Sequence, residues 1–331
     1  AAYNYLIIGA IGATFYVIGV GYLYAATGTL NLLDIIERLN EIGTNQAAVT
    51  GLAFMLAGIM VKAGVFPVHI WLPAAYSFAP SAVSSLLSAI ATKVAIYYLA
   101  RLLFGIFIDT THLIDLFLLF VLMPVSVIAI FYGTIAAIYQ IDIKRLFALS
   151  SIAQIGYITF AFSINTHSGI SAGFIHLINH ALIKGALFMA VGIFAVGIGQ
   201  RATMNSLRGV GRQMPITFTG FVIAGLALIG VPLTAGFISK LYLFKAIFET
   251  GNGIYVAVIA VSSVLSVLYL WKIIEVMWLQ EPMQPLKIEK EPVVACISLW
   301  LLVFTIITFG IYSTGVSSYG MNAANALIGA R

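Results

Sequence analysis

TGLAFMLAGIMVKAGVFPVHIWLPAAYSFAPSAVSSLLSAIATKVAIYYLARLLFGIF, residues 50–107, is apolar enough to lie in a lipid bilayer, yet its apolar runs contain Lys62 and Lys93. Lys93 is the sharper case. A helix opening after Pro80 and running to about Phe104 puts Lys93 near its middle, roughly 18 Å from either end at 1.5 Å per residue. A lysine stem does not snorkel that far. A charge at that depth costs at least ~2.5–3.5 kcal/mol on insertion scales, so intramembrane ionisable groups are functional candidates by default.

Working outward, the same character holds for all 331 residues. Apolar residues make up 62% of the chain and charged residues 8%, against about 25% charged in an ordinary soluble domain. The apolar runs are continuous, not alternating, which argues for helices and against a transmembrane barrel. The net charge of +5 is spread over loops; it fits anionic lipid and topology, not a nucleic-acid surface. The single cysteine, Cys296, provides no disulfide framework or thiolate metal site. There is no signal peptide with a basic leading region. The chain opens AAYNYLIIGA without Met, which reads as a fragment, a processed chain or an incomplete one.

The fold class expected is all-α: a polytopic transmembrane bundle of about nine crossings, two of them broken helices. The crossings are 5–25, 47–78, 81–107, 113–139, 146–164, 170–199, 216–248, 254–279 and 293–312, followed by a polar tail. A short amphipathic helix is expected within 28–46. Residues 47–61 are too short to span alone; Gly64 and Pro67 then loosen a turn before a second half from Val68 to Phe78. The competing reading there is one short helix plus a surface loop. Pro124 is expected to kink the fourth crossing, IDIKRL (141–146) reads as a basic turn, and Gly230-Val231-Pro232 breaks the seventh.

Lys144 and Arg145, then Arg201, Arg208 and Arg212, then Lys287 and Lys290, fall in loops on one face, and Arg38 on the other. The positive-inside rule therefore places the N-terminus in the cytoplasm and the C-terminus outside, in the cell's inner (plasma) membrane. Interrupted helices at corresponding positions of two halves point to inverted repeats and a transport site between them. The expected division is 1–110, the end of a first repeat; 111–280, a second repeat of five helices; and 281–331, a final helix and tail.

His176, His180 and Lys184 recur at i, i+4 and i+8, on one face of one helix. Histidine titrates near neutrality and passes protons; structural hydrogen bonding is the plainer alternative. Zinc is a third reading, but no third ligand is within sequence reach and Lys184 on the same face opposes a cation. Ser150, Ser151, Gln154 and Tyr157 fit a hydrated path and helix-packing hydrogen bonds equally well. Trp271, Lys272 and Glu275 read as an interface cluster.

Four stretches, VKAGVFPVHIWLPAAYSFAPSAVSSLLSAIATKVAIYYLAR (61–101), YQIDIKRLFALSSIAQIGYI (139–158), FIHLINHALIKGALF (174–188) and GVPLTAGFISKLYLFKA (230–246), carry a resemblance across essentially the whole chain. It resembles the antiporter-like membrane subunits of respiratory complex I, multisubunit sodium/proton antiporters (the D-type subunit above all) and membrane-bound hydrogenases. The resemblance implies helices six to fourteen of about fourteen, an inverted-repeat fold, and a polar axis of Lys62, Lys93, His176, His180, Lys184 and Lys240. In it Lys62 is the lysine controlled by an acidic partner, Lys93 the central lysine, and Lys240 the exchange residue towards the outer side. The sequence departs from the family in two ways: it has no fifth-helix glutamate, and its WLPDAH-like segment reads WLPAAY with Ala74 and Tyr76. No long lateral helix follows the ninth crossing, which separates it from the subunit type that carries one.

The function expected is proton translocation by one membrane subunit of a multisubunit respiratory or cation/proton antiporter complex. A Na⁺/H⁺ exchanging subunit and a truncated, non-pumping structural subunit are the alternatives. No cofactor or metal is expected, since there is no cysteine cluster and no glycine-rich phosphate loop. Redox chemistry would belong to partners in a complex I-like oxidoreductase of the NADH–quinone or hydrogenase type. The partners expected are other membrane subunits, antiporter-like paralogues among them, with lipid, H⁺ and Na⁺, and no nucleic acid.

Overall fold

The computed structural model describes residues 1–43, 45–107, 111–282 and 291–328. Lys287 and Lys290 of the topology argument lie outside them.

The first crossing is α1 (Ala2–Thr27). The amphipathic α2 (Leu32–Ile42) follows, with Asn31 Oδ1 accepting from the Leu33 amide at its start. It lies outside the membrane-length helices. The Thr29 hydroxyl and then the Arg38 guanidinium hold the Asp34 carboxyl below its ordinary range. The first broken helix is α3 (Gln46–Ala63), ended by Gly64 at φ 70°, and α4 (Trp71–Phe78). At 18 residues α3 is long enough by itself to be counted as a span, contrary to the sequence expectation.

Helix α5 (Ser81–Ile106) is continuous but contains two π turns, Leu87–Ala91 and Leu102–Ile106. Helix α6 (His112–Ile138) has another, Leu118–Leu122, just before Pro124. A π turn shifts the backbone register, and here one adjoins the proline where a kink was expected. Helix α7 begins earlier than expected, at Ile143, and runs to Ser163. The reason is Asp142, whose Oδ1 accepts from the Arg145 amide at 2.8 Å; IDIKRL is therefore a cap and first turn.

Then come α8 (His167–Gly197), the second broken helix α9 (Pro215–Ile229) and α10 (Ala235–Glu249), α11 (Ile254–Trp278) and α12 (Val293–Ile311). The polar tail is itself a helix, α13 (Ser313–Ile328), which packs on α8. Its one-sided burial through Val316, Ser317, Gly320, Ala324 and Leu327 is what a search for apolar spans overlooks.

Among the described residues, eight helices are long and apolar enough to cross a membrane by length and composition, and α9 is a shorter apolar one. They are arranged about α7 and α8. The membrane-length window of α7 is wholly buried, whereas that of α1 is 17% buried. Between α1 and α3 the contact is glycine on glycine: a Cβ on Gly58 would lie 2.5 Å from the Gly12 carbonyl oxygen. Such close backbone approach is the usual way helices associate where lipid supplies no hydrophobic drive.

Candidate functional site

Helix α8 carries His176, His180 and Lys184 into the centre of the bundle, where all three are buried. The two imidazoles stack in parallel, 5° apart in plane and 6.2 Å between centroids. His176 uses both nitrogens: Nδ1 pairs with Ser239 Oγ of α10 at 2.8 Å and Nε2 with Gln154 Oε1 of α7 at 2.9 Å. Neither nitrogen is left for a metal. Among the described residues no three His, Cys, Asp or Glu side chains group as ligands. His180 has no hydrogen-bond partner at either nitrogen. Lys184 donates from Nζ to the Phe147 carbonyl at 2.9 Å and to Ser150 Oγ at 2.6 Å, both on α7.

Lys93, on α5, is also buried, and its Nζ donates to the carbonyl of Ser88 and, at 3.4 Å, to Thr92 Oγ1. Charge on Lys93 acts on His176, His180 and Lys184 across the packed helices. On the other flank, Lys240 of α10 donates to Ile229 O at 2.5 Å and Ser263 Oγ at 2.8 Å, 5.1 Å from the Tyr157 ring centroid. The Tyr157 ring meets His176 at 5.6 Å, and its hydroxyl donates to Ser262 Oγ at 2.7 Å. Five of the six expected residues therefore occupy one buried region: Lys184, His180 and His176 along α8, Lys93 beside them on α5, and Lys240 on the flank of His176.

The sixth, Lys62, is elsewhere. It ends α3 with an exposed side chain whose Nζ is 6.0 Å from the Tyr5 ring. It lines an open cavity of about 350 Å³ shared with Tyr5, Tyr16, Trp71 and Tyr98.

Burying an unpaired charge is costly unless hydrogen bonds replace water. Here each lysine is met by a carbonyl and a hydroxyl. The ion pairs among the described residues, Asp34–Arg38 and Asp142–Arg201, lie away from the row. Two adjacent charges at the spacing of the imidazoles repel by about 3 kcal/mol at an effective dielectric of ~20. The row thus favours few protons at a time, with empty acceptors beside occupied ones.

Gln154, Tyr157 and Ser150, open between two readings in sequence, contact the row. Ser239, Ser262, Ser263 and Asn179 were not singled out. The Asn179 amide donates to the Ala235 carbonyl at the start of α10, 2.7 Å away. Hydroxyls on apolar helices leave no trace in sequence beyond their helical spacing. His69, buried in the first break and stacked on Phe66 at 5.1 Å, was also missed.

The family described as NADH:quinone oxidoreductase/Mrp antiporter, transmembrane, matches residues 1–266. NADH-quinone oxidoreductase subunit N of Desulforudis audaxviator is 39% identical over 285 residues, covering 86% of this chain and 56% of its own length. The D-type Na(+)/H(+) antiporter subunit of Bacillus subtilis is 28% identical, covering 98% of this chain and 65% of its own. Among solved structures, a chain of the membrane-bound sulfane sulfur reductase, an archaeal respiratory membrane complex, superposes with TM-score 0.87 at 33% identity, covering 98% of this chain and 65% of that one. A chain of the Mrp complex from Dietzia superposes at 0.88 and 24% identity, covering 98% and 67%, and shows the shared fold.

Proposed function

From the premise that this chain belongs to the NADH:quinone oxidoreductase/Mrp antiporter transmembrane family, we propose that it translocates protons as one membrane subunit of a multisubunit complex. It is a multi-pass membrane protein of the plasma membrane, and its structural neighbours are chains of multisubunit membrane complexes. The observation that carries the proposal is the buried group of Lys93, Lys184, His180, His176 and Lys240, its lysines each met by a carbonyl and a hydroxyl and none of the five paired with a carboxylate among the described residues. In this reading a proton moves between neutral neighbours, and its departure lowers the cost of loading the next site. The same lack of a carboxylate disfavours Na⁺, a hard cation that takes oxygen ligands. Lys62 serves at the flank, where its open cavity gives a carboxylate from another helix room to act on it.

The two-repeat division at 110 and 280 belongs to this proposal. It is supported by the two breaks, which are closed alike. The Val61 carbonyl ending α3 is taken by Trp71 Nε1 ten residues on, and the Ile229 carbonyl ending α9 by Lys240 Nζ eleven residues on. The orientation, N-terminus cytoplasmic and C-terminus outside, rests on the loop arginines and lysines.

The deciding experiment is proton pumping by the intact complex in sealed vesicles, wild type against Lys93→Ala, with assembly checked in both. Collapse of pumping in an assembled complex is expected. Unchanged pumping would return the chain to a structural role, and a dependence on Na⁺ in place of H⁺ gradients would make it a sodium exchanger.

A further inference from the structure

A line of contacts runs from the first helix break to Lys93, and Tyr76 is its last member. Trp71 opens α4 and donates its indole N–H to the Val61 carbonyl, next to Lys62, at 2.8 Å. The Trp71 and Tyr76 rings meet edge to face, 6.4 Å apart at 81°. Tyr76 is buried, and Phe188 of α8 holds it from another side at 5.6 Å and 88°. Its hydroxyl donates to the Leu87 carbonyl at 3.1 Å. Leu87 opens the first π turn of α5. A π turn breaks the ordinary i→i−4 pairing and so frees backbone oxygens for side chains. The next oxygen in that turn, of Ser88, holds the Lys93 ammonium.

We propose that Tyr76 is a positioning residue for Lys93: its hydroxyl pins the π turn that presents the lysine's acceptor, so that movement of the half-helix α4 at the break is felt at Lys93. This rests on the proton-transfer reading above. An acceptor held against the ammonium favours the charged form, and withdrawing it favours release. The half-helix is suited to such movement, since Gly64 and Pro67 detach it from α3 and Pro80 from α5.

Tyr76→Phe removes the hydroxyl and keeps both ring contacts. In the intact complex, with assembly confirmed, proton transport in sealed vesicles is expected to fall about fivefold, the factor one hydrogen bond carries. With the turn no longer pinned, the Ser88 acceptor is withdrawn from the ammonium, so the alkaline limb of the pH profile moves down by roughly half a unit to one unit. The ionisable groups that feel the charge of Lys93 are His176, His180 and Lys184 from α8, and α3 carries only Lys62, so no group altered by the substitution titrates in that range. Trp71→Phe, which leaves the Val61 carbonyl with the Gly64 amide alone, is expected to shift the profile in the same direction by less. Unchanged rate and profile in Tyr76→Phe would overturn the inference, as would loss of assembly, which would make the hydroxyl a folding element. Lys93→Ala separates the two readings: if it abolishes pumping while Tyr76→Phe changes nothing, only the positioning role fails, and if it leaves pumping intact, the proton-transfer reading fails first.

Discussion

Lys184 is fully buried, and its ammonium is met by the Phe147 carbonyl and the Ser150 hydroxyl alone among hydrogen-bond partners. A buried lysine of this kind is a poor investment in stability, because desolvation offsets what its hydrogen bonds return. Replacing it with an apolar side chain of similar length removes the desolvation cost, while the Phe147 carbonyl still accepts from the Ser150 and Ser151 hydroxyls at 3.0 and 2.8 Å. Lys184→Met is therefore expected to change thermal stability in detergent little, while proton transport by the intact complex falls at least tenfold. A large loss of stability with normal specific transport would make the lysine structural. At this scale the sequence was informative about charge and silent about neutral partners. Lysine and histidine in an apolar run are conspicuous because each is expensive there. Ser239 and Ser263 cost little on a helix, since a serine hydroxyl can bond its own helix's backbone, as both do, to Gly236 and Ile259.

The elements show the same division. Both broken helices were legible, because Pro67 and the Gly230-Val231-Pro232 run remove or misdirect backbone amides within otherwise apolar stretches. The π turns of α5 and α6 among the described residues were not, since nothing in LSAIA, LLFGI or LLFVL departs from an ordinary apolar helix. Helix α13 was missed because its apolar face is too narrow for a span and its other face is polar. The contact of α1 with α3 is a case where glycine is required by space. A Cβ on Gly58 would meet the Gly12 carbonyl oxygen and the Tyr16 amide at 2.5 and 2.7 Å, whereas one on Gly21 meets nothing within 4 Å. Gly58→Leu is expected to separate α1 from α3 at a cost of about 1–3 kcal/mol, read as a lower melting temperature and lower yield of purified complex. Gly21→Ala on the same pair of helices is expected to be neutral. Equal effects of the two would mean that α1 is held by something other than this close approach.

Over the whole molecule, three segments distant in sequence close one end of the bundle. Asp142 caps α7, pairs with Arg201 at 2.5 Å and bridges to Thr203. Arg201 lies over the Phe78 ring at 4.7 Å, and Lys144 reaches across to the Ala79 carbonyl at 3.1 Å. The loops gave only the sign of the charges here, enough to argue orientation but not contact, because pairing depends on how the chain returns. The two cations that close this end differ in environment, and that sets their energetics. The Arg201 side chain is 48% exposed, and such an ion pair is worth about 0–1 kcal/mol and is screened by salt. Lys144 is 9% exposed and serves the end of a half-helix whose next residue, Pro80, has no amide to offer. Losing it leaves a carbonyl short of a donor, about 1–3 kcal/mol. Lys144→Met is therefore expected to lower the melting temperature in detergent more than Arg201→Ala does. Raising ionic strength should shrink the Arg201 effect and leave the Lys144 effect in place. If the order is reversed, or if salt abolishes both effects alike, then Lys144 is a surface charge like its neighbours. The end of α4 would then be held by Ser84 alone, whose hydroxyl already reaches the Tyr76, Ala79 and Pro80 carbonyls with a single hydrogen to give.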